Sequence, residues 1–248
     1  VNQPIEECDA WIVYEGIYRE ESCLCPVGRT FLITGEPSEV ATYDYEWIRQ
    51  FDAVRSVQAG ISHSALKVGH TALPWHLGRS YDFLKSSEFP KKESDISVIC
   101  SDKAMTSGHR RRLHFVEQLL RAHPIPRFGR GYAEVAEKWD GLARYRYSLA
   151  IENSCHPHYW TEKITDCFLA GTVPIYWGAP NISDYFPKDS MIALDSLEVP
   201  AALAILAGTV SQADYERRRP ALLKAKRLVL DSYNFFELAS AIVSETPA

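Results

Sequence analysis

Nowhere in the 248 residues is there an apolar run approaching the roughly 18 residues that a bilayer-spanning helix needs. The stretch from Val1 to Ala10 also lacks the basic and apolar blocks of a secretory leader. Cysteine is sparse: the six residues Cys8, Cys23, Cys25, Cys100, Cys155 and Cys167 have neither the density nor the regular spacing of a disulfide scaffold. Positive charge is not in excess, since 27 basic residues face 32 acidic ones for a net −5. That balance excludes a surface built throughout to coat nucleic acid, so any phosphate site must be local. Internal repeats and low-complexity tracts are missing as well.

What is present has the balance of a folded protein, 46% hydrophobic and 24% charged. Short apolar, β-branched runs alternate with longer helical patterns, the signature of an open α/β fold with a mainly parallel sheet. Strands are expected at Trp11 to Tyr14, Phe31 to Thr34, Ala53 to Val57, Ile96 to Cys100, Leu149 to Ile151, Val173 to Tyr176 and Met191 to Leu194. The polar segment SSEFPKKES, Ser86 to Ser94, reads as a linker and divides the chain near residue 90. Leu113, Val116 and Leu120 form one stripe of a helix from about Arg111 to Ala122. A second helix runs from Thr161 to Ala170, burying Ile164, Cys167 and Phe168, with Gly171 as its left-handed stop. Gln212 to Val243 reads as two helices. Two α/β units joined by a linker leave a cleft between them, and parallel sheets bind ligands at their strand C-termini.

Two helix starts carry the wrong charge. A helix N-terminus is electropositive, so Lys163, directly after Thr161 and Glu162, requires an anion nearby. His109, Arg110, Arg111 and Arg112 crowd the start of the preceding helix. Together the two openings could converge on a diphosphate, although an arginine run is as readily a solvated face. Glu152, Asn153 and Tyr159 lie in the loop between strand and helix, suited to sugar hydroxyls or equally to capping and loop closure.

The segment YSLAIENSCHPHYWTEKITDCFLAGTVPIYWG, Tyr147 to Gly178, resembles the signature of the α-1,3/1,4-fucosyltransferases of glycosyltransferase family 10, particularly the bacterial enzymes that modify lipopolysaccharide. The matching elements are Glu152-Asn153, Tyr159, Thr161-Glu162-Lys163 and Val173-Pro174-Ile175-Tyr176-Trp177-Gly178. The resemblance implies a GT-B fold: an acceptor-side Rossmann-like domain over 1–90, and a nucleotide-sugar domain over 91–248 whose last helix packs back on the first. It implies GDP-fucose as donor, a glycan or lipid-linked acceptor, and Lys163 and Arg112 on the pyrophosphate. Arg112 is placed there by Arg112, Phe115 and Leu119, matching the family's helix start. Asn153, Tyr159, Glu162 and Glu152 then contact ribose or fucose, and Glu36, in FLITGEPS, is the general base. Without the resemblance, Glu36 is an ordinary loop carboxylate.

No Asp-x-Asp pair is present, so protein cations are expected to replace a metal at the leaving diphosphate, and no cofactor is implied. A hydrolase would need a second carboxylate, for which Asp44, Glu46 and Glu152 are available. Other readings are a transferase for another GDP-sugar and a non-catalytic nucleotide-sugar or glycan binding protein. Cys155, His156, His158, His109, His114 and Cys167 fit no zinc spacing, and Cys23 and Cys25 read as two free thiols. His63, Trp47, Trp75 and Trp160 are candidate acceptor contacts, with burial the commoner fate. Because the chain starts almost at a strand, the acceptor lobe is expected to be reduced or fragmentary. A cytoplasmic enzyme, peripheral to the inner membrane, is the expected setting.

Overall fold

The computed structural model describes residues 5–17 and 20–245. In chain order the elements are β1 (Trp11–Tyr14), β2 (Thr30–Thr34), α1 (Tyr45–Ile48), β3 (Ala53–Ser56), β4 (Leu66–Val68), α2 (Tyr81–Ser86), β5 (Ser94–Ile99), α3 (Ser107–Ala122) and β6 (Arg127–Phe128). They continue with α4 (Lys138–Leu142), β7 (Tyr145–Ile151), α5 (Glu162–Leu169), β8 (Val173–Trp177), β9 (Ile192–Ala193), α6 (Val199–Thr209), α7 (Gln212–Asp231) and α8 (Phe235–Glu245).

These strands form two all-parallel sheets, one ordered β1-β2-β3-β4 and the other β6-β5-β7-β8-β9. In the second, β5 leads through α3 to β6 on one side, and the chain then returns through α4 to β7 on the other. The crevice outside the ends of β5 and β7 is therefore a topological switch point, where open α/β sheets bind ligands.

The larger core lies around the second sheet. Tyr147, Leu149 and Ile151 of β7 and Ile175 of β8 meet Ile164 and Phe168 of α5, with Leu222 and Val229 of α7 behind. Gly171 closes α5 at φ +69°, a left-handed position that a side chain would strain. The C-terminal α8 crosses to the first sheet, where Leu238 and Ile242 pack with Phe31, Ile33 and Ala72.

The structure departs from the expected bounds: β7 begins at Tyr145 rather than Leu149, β5 at Ser94 rather than Ile96, and β9 keeps only Ile192–Ala193 of Met191 to Leu194. The helix expected from Arg111 opens at Ser107, capped by Thr106, and its buried face is Arg112, Phe115, Val116 and Leu119; Leu113 and Leu120 are only partly covered. One lysine of the linker is anchored to the second sheet's helices. Lys92 Nζ donates to the carbonyls of Ala143 and Ala170, at 2.8 and 2.9 Å, capping the ends of α4 and α5 together. Short β4 and β6 lack the apolar runs that would mark them as strands. Among the described residues no helix is long and apolar enough to cross a membrane.

Candidate active site

Strand β7 ends at Ile151, and the next side chain, Glu152, turns inward with no solvent exposure. Its Oε1 accepts from the Thr161 backbone N–H at 2.9 Å, and the Thr161 hydroxyl lies 2.8 Å from Oε2. The same hydroxyl caps α5 by accepting from the Lys163 N–H, and also accepts from Lys163 Nζ at 3.0 Å. Lys163 Nζ lies 3.3 Å from Glu152 and 3.4 Å from Glu162. Strand end, helix cap and cation are thus one hydrogen-bonded unit.

This unit corrects two readings. The anion that Lys163 requires is already supplied by Glu152 and Glu162, and Glu152 is too deeply enclosed to touch a ligand's hydroxyls. Its carboxylate instead positions Lys163. Burial opposes the charge on Lys163, but the two carboxylates outweigh it and hold the ammonium above the ordinary lysine range. Burial also opposes ionisation of Glu162, yet Lys163 and Lys138 pull its pKa down to about 2. Burial raises Glu152.

Of the basic run on α3, a single arginine turns inward. Arg110 is exposed and donates to the Ala104 carbonyl, and Arg111 lies over the Trp177 ring at 4.7 Å. His109 is buried against the Thr106 hydroxyl, its pKa lowered to about 4 by burial and then by Arg112. Arg112 is buried on the second turn, and among the described residues its Nε has no hydrogen-bond partner. A buried unpaired donor costs about 1–3 kcal/mol, so Arg112 is a group waiting for an acceptor.

Arg112, Lys163, Glu162 and Lys138 line a cavity of about 540 Å³, floored by Ser148 to Ile151 and flanked by Gly129, Arg130 and Glu134 to Glu137 of the loop after β6. The start of α3 reaches this place because residue 108 is glycine: a Cβ there would lie 1.7 Å from the Asn153 carbonyl oxygen. Asn153 in turn has a buried side-chain oxygen without a partner among the described residues.

Glu36, on the loop after β2, faces this assembly from the first sheet. Its Oε2 accepts from the Tyr159 hydroxyl at 3.5 Å, across the two sheets' junction. Burial raises its pKa, the Glu15 carboxylate raises it further, and the charge of Lys163 pulls it back. Glu15 is the residue that sequence reading missed. It follows β1 with φ +63° and accepts from the Gly35 N–H at 2.6 Å and the Tyr43 hydroxyl at 2.8 Å. A carboxylate directly after a strand, parallel to the strand that precedes Glu36, was the available signal. Lys138, which bonds Asp166 at 3.1 Å, carried no such signal.

Other candidates disperse. His63 spends both ring nitrogens on backbone near β3, against the Phe51 carbonyl before that strand and the Ala65 N–H after it. Trp47 and Trp75 pack against cores and Trp160 is buried. His156 contacts Glu39, His158 contacts Tyr185, and among the described residues no three His, Cys, Asp or Glu side chains converge as metal ligands.

Residues 89–218, which carry this switch-point cavity, match the family model described as glycosyltransferase family 10 (fucosyltransferase) C-term. The chain belongs to glycosyltransferase family 10. Among its family relatives, the human and Chinese hamster (Cricetulus griseus) 4-galactosyl-N-acetylglucosaminide 3-alpha-L-fucosyltransferase 9 are each 29% identical over 122 residues, 47% of this chain and 33% of theirs. The chain thus spans about a third of the length of those curated relatives. A chicken (Gallus gallus) GDP-fucose protein O-fucosyltransferase 3 is 40% identical over 76 residues, 30% of this chain and 16% of its own. In fold, the family 10 chain resembles a crystal structure of an α1,3-fucosyltransferase with GDP, at TM-score 0.55 and 17% identity, covering 92% of this chain and 80% of that one. Staphylococcus aureus TarM follows at 0.51 and 8%, covering 88% and 55%. The architecture is that of GT-B glycosyltransferases.

Proposed function

We propose that this chain is an inverting, metal-independent fucosyltransferase that moves L-fucose from GDP-fucose to a hydroxyl of an oligosaccharide or lipid-linked glycan. The observation that carries the reading is Arg112, buried beside Lys163 at the switch point with an Nε that has no partner among the described residues, with Glu36 facing it from the other sheet. Named relatives transfer fucose, and a fold neighbour was crystallised with GDP.

In this mechanism Arg112 and Lys163 take up the charge growing on the departing diphosphate, the task a metal performs elsewhere. Glu36 removes the proton from the acceptor hydroxyl as it attacks the anomeric carbon from the face opposite GDP. Asn153, Tyr159 and Glu162 are assigned to ribose and fucose. Glu152 is assigned to holding Lys163 in place. A pKa raised by burial and by Glu15 makes Glu36 a stronger base than a surface glutamate once ionised. The assigned setting is the cytoplasm, at the periphery of an inner membrane that presents lipid-linked glycans.

Calorimetric titration of GDP tests the donor site. Wild type is expected to bind, EDTA to leave affinity unchanged, and Arg112→Ala and Lys163→Ala each to weaken binding at least about tenfold, the loss of one charge-assisted hydrogen bond. Undetectable binding, or affinity indifferent to both substitutions, overturns the assignment.

A further inference from the structure

Away from the cleft, three of the six cysteines converge. The segment before β1 is clamped to the segment before β2 by two backbone hydrogen bonds, Cys8 N–H to the Leu24 carbonyl at 2.9 Å and Leu24 N–H to the Glu6 carbonyl at 2.8 Å. Glu7 and Leu24 pair in parallel. Residues 23 and 25 flank Leu24, and in extended chain positions two apart share a face. That face meets Cys8: the Cys23 and Cys8 sulfurs are 3.4 Å apart, and Cys25, whose thiol donates to the Arg29 carbonyl at 3.4 Å, lies beside Cys8. The Cys-x-Cys spacing, too tight for a zinc knuckle or a Cys-x-x-Cys redox pair, thus places two thiols within reach of one.

All three are half-buried, so small disulfides can reach them. A thiol is a weak donor, and the backbone clamp holds the segments together without them. Cys100 and Cys167 are buried and Cys155 is exposed, all outside this cluster.

We propose that Cys8, Cys23 and Cys25 form a thiol–disulfide exchange site in which Cys8 is the common partner of two alternative disulfides. With oxidised glutathione as oxidant, the Cys8 thiolate attacks one glutathione sulfur and releases one glutathione thiolate. Cys23 then attacks the Cys8 sulfur of the mixed disulfide and releases the second. Two protein thiols and one oxidised glutathione become one protein disulfide and two reduced glutathiones, two electrons passing from the cysteines to glutathione. Attack by Cys25 on Cys8 in the product exchanges the bond without further oxidant. Burial raises the pKa of Cys8 and Cys25, so the exchange accelerates as pH rises. The bond encloses β1 and Glu15, the residue that holds the Gly35 N–H beside Glu36.

The test equilibrates the native full chain in glutathione buffers of graded reduced-to-oxidised ratio, alkylates under denaturing conditions, and maps peptides by mass. The expected result at the oxidising end is four of six cysteines alkylated and a Cys8–Cys23 cross-link. Cys23→Ser should shift the cross-link to Cys8–Cys25, and Cys8→Ser should abolish both while circular dichroism stays native. Six alkylated cysteines, a pairing that omits Cys8, stable glutathione adducts without a protein disulfide, or the same pairing yield from urea-unfolded chain would each overturn the proposal. None of these outcomes depends on the donor-site assignment.

Discussion

Glu36 pays for its position, because a carboxylate placed between a buried loop and Glu15 is costly to ionise. A carboxyl whose folded pKa lies above its ordinary 4.5 stabilises the fold only below that value, and the contribution is lost as pH rises through the raised pKa. Glu36→Gln removes that cost. The variant is expected to melt no lower than wild type at pH 7, the two curves converging below pH 4.5. Its transfer rate should fall about 100- to 10,000-fold, the range for a lost general base. Calorimetric melting and GDP release with acceptor measure the two effects, and a variant that melts lower or retains full turnover contradicts the assignment. Glu162 has the opposite sign: with its pKa held near 2, its contribution is present above 4.5 and is lost as pH falls toward 2. Residue types in this neighbourhood were legible from spacing alone, since Lys163 after a strand and a cap is a conspicuous cation. That Glu152 serves Lys163 was not, because its carboxylate is held by Thr161 and packed against Gly178 of the neighbouring strand's end, a contact that spacing along the chain does not show.

At the scale of elements, α3 and α5 bring their starts together, and Gly108 permits the approach. Gly108→Ala would force α3 away from the Asn153 carbonyl, an overpacking that costs about 1–3 kcal/mol. Thermal denaturation should record the loss, and GDP affinity should fall with it as Arg112 is carried off the cavity. An unchanged melting temperature would show that the loop yields freely. Helix α5 was readable almost residue by residue, from the Thr161 cap to the Gly171 stop. Helix α3 was read with its start too late, because Ser107, Gly108 and His109 lack the apolar spacing that marks a helix. Its inward face includes an arginine, which a hydrophobic pattern counts as outward.

Across the whole molecule, the two sheets are tied by α8, which leaves the second core and docks Leu238 and Ile242 on Phe31 and Ile33 of β2, the strand that delivers Glu36. Leu238→Ala is expected to cost about 2–5 kcal/mol. Hydrogen exchange should quicken in α8 and β2 while β7 and β8 stay protected. Uniform loss of protection would mean that the sheets unfold as one. Exposed pairs across the junction, such as His156 with Glu39, are expected to contribute little by comparison.

Local pattern was enough to determine the α/β class, the places though not the ends of seven strands, the helix that carries Lys163 and the motif that resembles family 10, because these depend on periodicity and on residues adjacent in the chain. The tertiary structure alone decided which carboxylates meet Lys163 and that Glu15 stands beside Glu36. It also gathered Cys8 with Cys23 and Cys25. Those outcomes depend on the order of parallel strands and the direction of their ends, which bring together groups that periodicity along the chain does not relate.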